Sequence, residues 1–89
     1  MPHAEIRVDS TDWVAQSSLP QGEFGSVQNH GPGNAFVVTS DSVPSNTVLG
    51  TMIPPGKLAE FTFTNGETTY TRKSRNNPTD PLFQFSWGA

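Results

Sequence analysis

Apolar and polar residues alternate with a period of two along much of this chain, and no stretch repeats at a helical spacing. Ala4, Ile6 and Val8 alternate with Glu5, Arg7 and Asp9, which predicts a half-buried strand near the start. Trp13 and Val14 predict a short strand or a turn into one. Phe24 and Val27 lie in the next one, with Gly25 between them as a candidate bulge. His30-Gly-Pro-Gly33 predicts a turn. The continuous run Phe36-Val37-Val38 then predicts a strand covered on both faces. Residues 41 to 55 show no period. Their apolar members Val43, Val48, Leu49, Met52 and Ile53 predict a long connection that packs down onto the body.

The strongest local signal is TMIPPGKLAEFTFTNGETTYTRK, residues 51 to 73. Pro55-Gly56 predicts a turn into a strand, and Asn65-Gly66 predicts a two-residue type I′ turn, which needs φ > 0 at both positions. That geometry makes a β-hairpin in which Phe61 faces Tyr70 and Ala59 faces Arg72. Its apolar face is Ala59, Phe61, Phe63 and Tyr70. Its wet face is Leu58, Glu60, Thr62, Thr69, Thr71 and Lys73. A polar loop follows at 74 to 81. The last strand, 82 to 87, sets Phe83, Phe85 and Trp87 on one face. The fold class is therefore all-β: one domain over residues 1–89, a small antiparallel sandwich or jelly-roll-like barrel of six to eight short strands.

Length sharpens the picture. A chain of 89 residues buries roughly 60–65% of the surface it exposes when unfolded, so its core is thin. Small domains commonly add disulfides, a metal or oligomerisation. There is no cysteine and no Cys/His cluster, which leaves oligomerisation or docking on a larger body. The net charge is −3 and only 15% of residues are charged, which argues against a phosphate-binding footprint and so against nucleic acid as a partner. No apolar run approaches the ~20 residues of a membrane span. MPHAEIRVDS carries neither the charged nor the apolar part of a signal peptide, so the expectation is a product of the cytoplasm.

Candidate chemistry is sparse. His3 sits next to the start and His30 lies in a Gly/Pro turn, and no local motif gives either a nucleophile and an orienting acid. The eight carboxylates show no pairing that would predict the two acids of a glycosidase, which flank a cleft about 5–9 Å apart. Asp9 and Asp12 lack the dense acidic spacing of a calcium loop. Arg72, Lys73 and Arg75 read as a solvated strand end or a salt bridge. Trp13 and Trp87 suit core anchoring better than sugar stacking. No enzyme activity, catalytic residue, cofactor or metal site is expected.

Read in order, Trp13, GSVQNHG (25–31), AFVVTSDSVP (35–44), GTMIPPGKLAEFTF (50–63), Asn65-Gly66 and YTR (70–72) form a skeleton. It resembles a group of very small tailed-phage proteins. These carry an early Trp, a V-x-N-x-G strand end, a G-x-x-l-x-P-G turn, a glycine-containing hairpin and an aromatic-x-Arg pair. The resemblance spans residues 13 to 72. It implies a virion structural protein made in the host cytoplasm, foremost a capsid decoration (cement) protein, with a small tail, baseplate or fibre module that binds host-surface carbohydrate as the alternative. It implies no catalytic residue. The expected partners are the major capsid protein and further copies of the chain, a trimer being favoured among homo-oligomers. Outside the resemblance, the two ends of the chain supply the expected intermolecular contacts: Ile6, Val8, Phe83, Phe85 and Trp87. Pro55, Gly56, Asn65 and Gly66 are the structural turn residues.

Overall fold

The computed structural model describes residues 3–45 and 47–88. Among these residues eight strands form: β1 (His3–Arg7), β2 (Val14–Ala15), β3 (Glu23–Asn29), β4 (Ala35–Ser40), β5 (Thr51–Ile53), β6 (Leu58–Phe63), β7 (Thr68–Lys73) and β8 (Leu82–Trp87). They form two four-stranded antiparallel sheets. One has the order β1-β8-β3-β6 and the other β2-β7-β4-β5. The fold is all-β and sandwich-like, as the alternation predicts.

The core lies between the sheets. From the first sheet come Val27, Phe63, Phe83 and Phe85, and from the second Ala35, Val37 and Ile53. Val8 and Leu19 complete the set. Phe83 and Phe85 are fully buried, worth roughly 1.5–3 kcal/mol each. Aromatic edges lock this layer. Phe61 meets Phe63 at 5.0 Å between ring centroids, and Phe63 meets Trp87 at 5.8 Å, both T-shaped.

The hairpin expected over 58–73 does not form. β6 pairs with β3 in the first sheet, while β7 pairs with β2 and β4 in the second. The Asn65-Gly66 turn joins the sheets as a corner. Glu67 N–H donates to the Thr64 carbonyl at 3.2 Å. Of the two turn residues Gly66 has positive φ (82°) and Asn65 does not. That is the signature of a type II turn, not type I′. A type II turn splays its flanking strands instead of matching their twist, so β6 and β7 part company. Pro55-Gly56 makes the same kind of turn, with Gly56 at φ 78° and Lys57 N–H on the Pro54 carbonyl.

The faces of β7 change accordingly. Thr71 lies opposite Val37 and Thr69 opposite Thr39, so both threonines belong to the core side and are buried. Tyr70 and Arg72, opposite Val38 and Phe36, belong to the outer side. β4 is covered on both faces as its continuous apolar run predicts. Gly25 marks no bulge, since the β3 registers run unbroken through it. It is needed because a Cβ there would collide with the Ser86 carbonyl oxygen.

Candidate functional site

The outer face of the second sheet carries a cluster built from distant parts of the chain. Trp13, just before β2, lies under the guanidinium of Arg72, with Cζ 4.5 Å from its ring. Phe36 flanks the same guanidinium at 5.5 Å. Arg72 donates from Nη2 to the Val48 carbonyl at 3.0 Å, and a Cβ on Gly50 would meet the Trp13 ring at 2.8 Å. The backbone at Val48 and Gly50 is thus clamped. The apolar side chains of the connection from 41 to 55 point outward apart from Ile53: Val43 and Leu49 are more than two-thirds exposed, and Val48 and, on β5, Met52 are partly so. The expectation that this connection packs down is overturned for all its apolar side chains except Ile53.

Arg72 also lines a shallow cavity of about 290 Å³ with Thr11, Phe36, Lys73, Ser74 and Arg75. Lys73 is paired within the molecule, its Nζ 2.9 Å from Asp80 Oδ1. The cluster Arg72, Lys73 and Arg75 thus divides into a buried stacking cation, a salt bridge and one exposed side chain. On the first sheet, a groove of about 330 Å³ is lined by Phe24, Ser26, Leu58, Glu60 and Ser86 together with Gly25, Trp87 and Gly88. Phe24 and Leu58 are its exposed apolar members.

The residues expected to make intermolecular contacts fall elsewhere. Val8, Phe83 and Phe85 are buried in the core, and Trp87 packs on Phe63. β8 runs between β1 and β3, so neither of its edges is open to a partner, and of its three aromatics only Trp87 is part-exposed, where it lines the groove beside Phe24. The aromatics at this end serve the core because the other strands supply few large aliphatics. Ile6 differs: it is half-buried on β1, an outer strand of its sheet. Pro55, Gly56, Asn65 and Gly66 sit in turns as expected.

His3 and His30 are both exposed, and His30 Nε2 lies 2.8 Å from Gln84 Oε1. Among the described residues no three His, Cys, Asp or Glu side chains gather as metal ligands. Trp13 is buried, but on the outer face beneath Arg72 and not in the core cluster between the sheets.

One residue escaped the sequence reading. Asn29, fully buried at the end of β3, donates from Nδ2 to the carbonyls of Ile53 (2.7 Å) and Gly33 (2.9 Å). Its Oδ1 accepts from the Gly31 N–H at 2.6 Å. It is the Asn of the V-x-N-x-G strand end, so that motif has a structural purpose here: it ties the 30–33 turn to β5. The available signal was a polar residue in phase with the buried Val27.

Comparison with protein families, with curated proteins and with solved structures gives no match for this chain.

Proposed function

We propose that the chain is a non-enzymatic structural protein of a phage virion, made in the host cytoplasm, and within that class a capsid decoration protein seated on the major capsid protein. The supporting observation is the clamped apolar tip. Leu49 is large, apolar and exposed, yet the backbone on either side of it is held, Val48 by Arg72 and Gly50 against Trp13; Met52 on the adjoining β5 and Val43 add exposed apolar surface. A preorganised apolar tip loses little conformational entropy on docking. The order of motifs from Trp13 to the Tyr70-x-Arg72 pair supports the same reading, because it resembles that of small tailed-phage proteins. The test is the composition of purified particles carrying this chain. Copy numbers near that of the major capsid protein fit decoration. Absence from the particle refutes the reading.

A second reading, a tail or fibre module for host-surface carbohydrate, draws support from the groove beside Phe24. An exposed aromatic ring beside Glu60, Ser26 and Ser86 offers a stacking face and hydroxyl partners. A handful of copies per particle, with saccharide binding lost in Phe24→Ala, would favour it.

A further inference from the structure

The first sheet ends in two long outer strands, β1 on one side and β6 on the other. The second sheet ends in strands of two and three residues. Short outer strands are one means by which proteins blunt an edge. β6, with six residues, contains no proline and only one charge, Glu60. Next to it on the core side, Phe61 is only half-buried, and Ile6 occupies the equivalent place on β1. Each edge therefore leaves a row of backbone groups and a partly covered apolar side chain.

We propose that these two edges pair with each other between copies of the chain, β6 of one against β1 of the next. The inference goes beyond the virion reading and holds wherever the protein works. Strand direction permits it. Neighbours alternate along β1-β8-β3-β6, so β6 runs opposite to β1 and a second copy laid alongside continues the antiparallel sheet. The faces limit the register. His3, Glu5 and Arg7 point away from the core, as do Leu58, Glu60 and Thr62, and directly opposed residues must share a face.

Charge selects among the registers that remain. Setting Arg7 against Leu58 would place Glu5 opposite Glu60, and setting Arg7 against Thr62 would bring Asp9 to Glu60. Like charges directly opposed are destabilising. Setting Arg7 against Glu60 pairs opposite charges and puts Glu5 against Thr62. On the core side it sets Ile6 against Phe61 and Ala4 against Phe63. Arg7 and Glu60 are both exposed, and among the described residues Glu60 has no ion pair while Arg7 reaches only the Asp80 carbonyl, at 3.4 Å. The contact is head-to-tail, so it closes into a ring or propagates. One contact covers both open edges and both half-buried side chains.

The chain has no cysteine, which gives a clean test. In a Glu5→Cys/Thr62→Cys variant the two thiols lie on opposite edges of one copy, at least about 14 Å apart across three strand spacings. A disulfide requires Cα atoms about 4.4–6.8 Å apart, so it can form only between copies. Mild oxidation should yield a ladder of linked multimers. In that background Arg7→Glu or Glu60→Arg alone should lower the linked fraction several-fold, and the two together should restore it. The unmodified chain should sediment as a multimer. If it stays monomeric to millimolar concentration, or if the folded cysteine variant stays unlinked, self-pairing is overturned and the edges are left to strands of another protein. Failure of the double charge reversal to restore linkage overturns the register.

Discussion

The guanidinium of Arg72 stacks on the indole of Trp13, Cζ 4.5 Å from the ring centroid, although 59 positions separate them in the chain. The same guanidinium holds the Val48 carbonyl. The pair thereby holds the backbone at Val48 and Gly50 against the outer face of the second sheet. A cation over an indole contributes about 0.5–2 kcal/mol, more as water is excluded.

Trp13→Ala should cost about 3–5 kcal/mol through lost burial and the cavity left behind. That is a large share of the roughly 5–15 kcal/mol that holds a small domain together. Trp13→Phe should cost much less. It keeps an aromatic face for Arg72 and removes the indole Nε1–H, which is buried with no partner among the described residues. Denaturant midpoints of the two variants check this. Equal losses would show that stacking contributes little.

Asn29 should tolerate no substitution. Asn29→Ala leaves the Ile53 and Gly33 carbonyls and the Gly31 N–H without their partner, for a loss of about 2–4 kcal/mol. Asn29→Asp should be worse at neutral pH, because a buried carboxylate would face two carbonyl oxygens. Its deficit should shrink as pH falls, since the neutral acid can donate to one of them. Thermal melts of both variants across pH measure it.

The corner turn makes opposite demands on its two residues. Gly66→Val forces a β-branched side chain into positive φ and should cost about 1–2 kcal/mol. Asn65→Ala should change stability by less than about 0.5 kcal/mol, the usual range for a surface site without special geometry. A type I′ turn would penalise both, so comparing the two midpoints distinguishes the turns.

Removing residues 82–88 deletes β8, the strand between β1 and β3. It also removes Phe83 and Phe85 from the core. The shortened chain should show no cooperative unfolding transition by circular dichroism. A folded truncated chain would mean that this segment serves contacts and not the core.

The strands themselves were legible because their cause is local. A period of two is written in Ala4-Ile6-Val8 and in Phe83-Phe85-Trp87, and each side chain goes to the face its position dictates. Turn positions at Pro55-Gly56 and Asn65-Gly66 were legible for the same reason, since only glycine adopts positive φ without strain. The candidate site was legible only in its members. Trp13 and Arg72 stood out singly, and nothing in their neighbourhoods joined them.

Partner choice belonged to the tertiary structure. Asn-Gly between two alternating runs fits a hairpin and a corner equally well, and the difference lies in the φ of Asn65, which the packing of two sheets decides. Once β6 goes to β3 and β7 to β4, Thr69 and Thr71 turn inward and Tyr70 turns out. The same assembly buries Phe83 and Phe85 and leaves Leu49 and Met52 in water. Hydrophobicity alone could not rank these four, because burial depends on which strands lie alongside and not on the residue's own character.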